Sequence, residues 1–133
     1  MEKQCVIFKL AGAEYGINVL NVQEIIRPLK LVKLPNSPDY VLGICELREN
    51  IIPVIDLKQV LNLGKVKESK AARIIVIQEA GEMLGLLVDE VGEVLRINQE
   101  KIKREAKLAK KYIRGIAKID GRLIMFLNLA AII

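Results

Sequence analysis

The chain has 133 residues, of which 52% are apolar and 28% charged, with a net charge of +5 and no histidine. That length holds one ordinary domain, or two small halves sharing an apolar seam, because about 65 residues alone bury only roughly 60% of their unfolded surface. The missing histidine excludes Ser-His-Asp and Cys-His catalytic devices and removes the commonest metal ligand.

From Gln4 to Leu10 the residues are rich in Val, Ile and Phe and predict a strand. Ala11-Gly12-Ala13-Glu14 supplies a turn, and Tyr15 to Val19 resumes the extended pattern, which makes a hairpin. Asn21 to Arg27 fits a short helix or a strand equally well, and Pro28 limits any helix there. Leu34-Pro35-Asn36-Ser37-Pro38-Asp39 is a rigid connection, since its prolines fix backbone angles and remove donors. Val41 to Leu47 and Ile51 to Leu57 predict a second hairpin around Arg48-Glu49-Asn50, with Asn50 the residue best able to take a left-handed conformation. Asp56 caps a short helix through Val60 and Leu61, which Gly64 ends, and the polar run from Lys65 to Ala71 connects onward.

The plan then repeats. A hairpin turns at Ala80-Gly81-Glu82, an irregular stretch passes Gly92, and another hairpin turns at Asp120-Gly121, a strong turn signal. Gln99 to Tyr112, rich in Lys, Ala, Glu and Leu, predicts the best helix in the chain. The repetition extends to residue identity. Cys5 to Arg27 and Ile74 to Arg96 match at an offset of 69, with Gly12/Gly81, Gly16/Gly85, Glu24/Glu93 and Arg27/Arg96 among the identical pairs. Val41 to Leu57 and Ile113 to Leu129 match at an offset of 72. A unit of about 70 residues is too long for a solenoid repeat and suits a small barrel. The expectation is an all-β chain of two pseudo-symmetric five-stranded β-barrels packed together, with short helices. The halves are approximately 1–64 and 65–133 of a single domain, with strand exchange between them possible. Gly16 and Gly85 lie inside strand patterns, where glycine marks a bulge or sharp bend.

Chemistry finds little to work with. Cys5 and Cys45 sit 40 residues apart in apolar alternation and read as small buried hydrophobes, so no metal or cofactor is expected. Neither G-x-G-x-x-G nor GxxxxGK[ST] occurs. The acids Asp89, Glu90 and Glu93, and Glu46 with Glu49, read as solubilising charges on turns. Residues 1–64 carry seven basic and seven acidic side chains, so the whole charge excess lies in the second half, chiefly between Lys101 and Arg114. A solvated helix face accounts for it. The rival reading, an RNA-binding β-barrel, wants stacking aromatics, and only Tyr112 lies in that segment. No run approaches the roughly 18 apolar residues of a membrane span, and the first residues lead directly into a strand pattern, so a cytoplasmic protein without membrane insertion is expected.

An interaction surface remains. Glu24, in NVQEIIR, and Arg48, at the tip of the second hairpin, would form a polar mark beside exposed Val22 and Leu47 if the fold brings them together. VxEIIR, LPNSPDYVLGI, the tip LR, IIPVIDL, GLLVDEV and YIRGIAKIDGRLI together resemble the CheW family of bacterial chemotaxis coupling proteins, over Cys5 to Leu129. The resemblance implies SH3-like barrels and a noncatalytic adaptor joining the cytoplasmic tips of methyl-accepting chemoreceptors to the regulatory domain of the histidine kinase CheA, in cytoplasm beside membrane-associated receptor arrays. It implies receptor or kinase coupling roles for Val22, Glu24 and Arg48, with Gly43 and Leu47 flanking. Val19, Val22, Val88 and Val91 are candidates to line a groove between the barrels. The chain departs from the family's N-L-R-G in reading Glu46-Leu47-Arg48-Glu49, which removes a turn glycine and surrounds the arginine with acids.

Overall fold

The computed structural model describes residues 1–104 and 111–133. Four hairpins account for most of its strands. β1 (Glu2–Leu10) and β2 (Ala13–Asn18) turn at Ala11-Gly12, and β4 (Val41–Leu47) and β5 (Asn50–Asp56) at Arg48-Glu49. β6 (Arg73–Glu79) and β7 (Glu82–Val88) turn at Ala80-Gly81, and β9 (Ile113–Ile119) and β10 (Arg122–Leu127) at Asp120-Gly121. β3 (Val22–Ile26) and β8 (Glu90–Asn98) each follow the first hairpin of their half. Of Asn21 to Arg27, Val22–Ile26 forms a strand, entered through a 3-10 turn at Val19–Asn21 that the Asn18 side chain caps.

All four tips have two residues with positive φ, the turn form whose twist matches the flanking strands. Glycine fills the second position in three of them; Glu49 fills it in the fourth, at φ 70°, after Arg48 at φ 49°. The tip is thus Arg48-Glu49, and Asn50 starts β5 instead of taking the left-handed position, donating its side-chain amide to the Arg48 carbonyl.

One five-stranded sheet is ordered β8-β1-β2-β10-β9 and the other β3-β6-β7-β5-β4. The halves have exchanged hairpins. β1 and β2 join β8, β9 and β10, while β6 and β7 join β3, β4 and β5, so both sheets draw on residues 1–64 and 65–133. The joins are parallel pairings of β2 with β10 and of β5 with β7. At these joins sit the two strand glycines: Gly16 pairs with Phe126 and Gly85 with Val54. A Cβ on Gly16 would lie 2.8 Å from the Phe126 ring, and one on Gly85 3.0 Å from Val54. The register runs unbroken through both glycines; the irregularities fall elsewhere, so they mark close side-chain approach and not bulges.

Three apolar cores follow from this plan. Cys5, Ile7, Ile97, Ala117, Ile124 and Phe126 fill the first sheet, and Cys45, Ile52, Val54, Ile74 and Val76 the second. The seam takes the opposite faces of the same strands, with Val6, Phe8 and Leu10 from β1 and Ile75 and Ile77 from β6. Strands buried on both faces read as continuous apolar runs, which is why CVIF and IIVI do not alternate.

Helix is confined to short pieces. Asp56 caps α1 (Leu57–Val60) as expected, but Asn62 at φ 60° closes it before Gly64 is reached. α2 spans Leu129–Ile132. The predicted helix from Gln99 to Tyr112 is limited to a 3-10 turn at Gln99–Lys101; Lys103 then bridges Ile116, which forbids helical continuation there, and 105–110 lie outside the described residues. Val32 bridges Ile44 in the same way, so the outer strands β9 and β4 are each partly covered.

Candidate functional site

β3 and β4 are the outer strands of the second sheet and share no backbone ladder. Glu24 on β3 and Arg48 at the β4–β5 tip nevertheless meet, with Arg48 Nε 3.1 Å from both Glu24 carboxylate oxygens. The Glu24 side chain is 20% exposed and that of Arg48 81%. Glu24 is thus the more buried partner and Arg48 the more exposed one. A pair with one partner this exposed contributes about 0–1 kcal/mol to stability. Glu46 and Glu49 form no ion pair with Arg48 among the described residues.

The surrounding positions divide by accessibility. Val22 and Leu47 are half-buried, packed on the seam and on the second core respectively, so the exposed flanks expected of them are absent. The apolar side chain open beside the tip is Ile51, at 70% exposure. Gly43 is buried at φ 146°, and a Cβ there would lie 2.5 Å from the Val32 carbonyl oxygen. It shapes the start of β4 and holds the 31–32 segment close. Val88 is fully buried in the seam and cannot line an open groove, whereas Val19 and Val91 are half-buried at its rim with Val22.

Glu93, the repeat mate of Glu24, also takes an arginine. Arg122 on β10 reaches Glu93 at 2.8 Å and Glu14 on β2 at 2.9 Å. The guanidinium holds both carboxyls below their ordinary range, and they in turn raise the arginine's. Arg122 stands two residues beyond Asp120, the position matching Arg48. Both duplicated glutamates thus bind an arginine from the second hairpin of a half, but only Arg48 sits on an exposed tip. Asp89 is no mere solubilising charge either: it accepts the Ala11 amide at 2.8 Å and pairs with Lys58 at 3.2 Å, tying the first hairpin to α1.

Cys5 and Cys45 lie in separate cores, where burial pushes their thiols up. Among the described residues no three Cys, Asp or Glu side chains gather as a metal would need, and no helix is long and apolar enough to cross a membrane. Of the basic segment, Lys101, Lys103 and Arg104 are exposed, and Tyr112 is half-buried with Lys111 above its ring.

Comparison with known proteins gives this architecture a family. A family model described as a CheW-like domain matches residues 4–133. The chain is 33% identical to the chemotaxis protein CheW of Thermotoga maritima, over 99% of this chain and 88% of that protein. It is 31% identical to that of Helicobacter pylori, over 98% and 81%. The crystal structure of the scaffolding protein TtCheW from Thermoanaerobacter tengcongensis superposes with a TM-score of 0.91 at 37% identity, covering 96% of this chain and 90% of that one. With the family model matched over nearly its whole length and the same architecture recurring at that identity, the chain belongs to the CheW-like family.

Proposed function

We propose that this protein is a noncatalytic adaptor of chemotaxis signalling that couples transmembrane chemoreceptors to the histidine kinase CheA, in cytoplasm at the receptor arrays. The observation that carries the reading is the Glu24–Arg48 pair: a guanidinium held by one carboxylate, largely exposed, beside the open apolar side chain of Ile51. A preorganised arginine next to an apolar contact is the composition of an interface centre.

Two surfaces divide the work. The Glu24 and Arg48 end of the second sheet, with Leu47 packed beneath the tip and Gly43 fixing the far end of β4, faces the related regulatory domain of the kinase. The seam rim, with Val19, Val22 and Val91, accepts the helical tip of a receptor by its apolar stripe, and Val88 supports that rim from below. Titration calorimetry with the CheA regulatory domain and with a receptor cytoplasmic fragment tests this. Wild type binds both, and Glu24→Ala or Arg48→Ala weakens binding by about tenfold or more with unchanged circular dichroism. Wild-type protein that binds neither component contradicts the reading.

A further inference from the structure

Beyond the end of β3, two connections outside the strands border one groove. Residues 27–30 continue β3, and 66–72 lead into β6, which pairs with β3 at Ile26 and Ile74. Between them lies a groove of about 840 Å³. Its lining includes the apolar side chains of Pro28, Leu29, Val66 and Leu87, and five cations: Arg27, Lys30, Lys67, Lys70 and Arg73. Glu68 is the single acid there. None of the five cations has an ion-pair partner among the described residues. Arg27 and Lys30 come from one half of the chain and the other three from the next, so the cluster exists only in the fold.

The walls are fixed by buried and local bonds. Asp56, 2% exposed, accepts the Val66 amide at 2.9 Å while also capping α1 through Gln59. Ser69 accepts the Ala72 amide, and Arg73 Nη1 donates to the carbonyls of Lys70 and Ala72 at 2.8 and 2.7 Å. Five like charges around one groove repel each other, so folding gives no reason to gather them. Leu29 and Lys30 lie outside every strand, and their amides make no backbone hydrogen bond among the described residues.

We propose that this groove docks an acidic peptide segment in extended form, its carboxylates on the basic rim and an apolar side chain against Leu29 and Val66. The mixed lining favours a peptide over a simple phosphate: cations answer the charge, and the apolar residues answer the side chains of a peptide. The proposal stands independently of the adaptor reading, because it uses none of the residues assigned there.

Fluorescence anisotropy with the full chain and a labelled peptide of mixed Glu and Leu residues tests it. The wild type binds at about 50 mM salt and weakens by about tenfold or more at 300 mM, as screening requires. The Lys67→Glu, Lys70→Glu double variant, folded by circular dichroism, binds about tenfold more weakly or worse. A peptide of Glu alone, equal in length, binds more weakly than the mixed one. Absence of peptide binding at low salt, equal binding by the double variant, equal binding of the all-Glu peptide, or competition-proof binding of tripolyphosphate without any peptide binding would each overturn the proposal.

Discussion

Replacing Glu49 with glycine should make the protein more stable, although glycine usually weakens a chain. The four hairpin tips have nearly the same backbone, with second-position φ of 80°, 82° and 79° at Gly12, Gly81 and Gly121 and 70° at Glu49. A side chain in that left-handed region costs about 1–2 kcal/mol, and glycine removes that strain. Against this, glycine adds unfolded-state freedom worth roughly 0.5–1 kcal/mol. Glu49 makes no ion pair among the described residues, so its removal forfeits no contact of that kind. The net gain for Glu49→Gly is then about 0.5–1 kcal/mol, or ~2–4 °C in Tm for a chain of this length. Urea unfolding followed by circular dichroism reads it as a higher midpoint with an unchanged slope. A midpoint equal to or below wild type would refute the argument from tip geometry. Arg48 keeps its own φ and its bond to Glu24, so partner binding should be unaffected.

Gly43→Ala should destabilise by at least ~2 kcal/mol, because the added Cβ meets the Val32 carbonyl at 2.5 Å in a backbone region closed to side chains; a urea midpoint within experimental error of wild type would refute it. Gly16→Ala should lose about 1–3 kcal/mol through overpacking against Phe126, read in the same way. The Arg122 cluster predicts a pH effect. Glu14 and Glu93 have folded pKa values below 4.5, so they contribute stability that is present above that value and lost as pH falls through the folded ones. Arg122→Met should therefore be less stable than wild type near neutrality, and the difference should shrink below pH 4.5. A difference constant across that range would contradict the assignment.

The repeat at offsets 69 and 72 made much of this fold legible, because it matched turn glycines and charges as well as apolar strands. Hairpin exchange was open to suspicion only, since local pattern states which residues pair across a two-residue turn and not which hairpins meet. The misplaced tip was recoverable: offset 72 sets Arg48-Glu49 opposite Asp120-Gly121. The overextended helix was not recoverable. Lys103 bridges Ile116 as Val32 bridges Ile44, an equivalence that lies outside both repeated blocks and appears only in the fold, and there tertiary pairing overrides the helix propensity of the Lys- and Ala-rich run. The meeting of Glu24 and Arg48 rests on the curl of the sheet that brings β3 to β4, which no spacing announces. Ile51 was hidden for a related reason: an apolar residue after a tip reads as core until its facing is known. The basic groove is not legible in the sequence, because its cations are distributed over two distant segments.

Reconstituted kinase activity tests the central claim most directly. CheA autophosphorylation is measured with receptor-containing membranes, with and without this protein, beside Arg48→Ala. The account predicts that the protein brings the kinase under receptor control, so that attractant changes its rate, and that Arg48→Ala reduces this coupling while remaining folded. Kinase activity indifferent to the wild-type protein at concentrations that saturate CheA and receptor would contradict it.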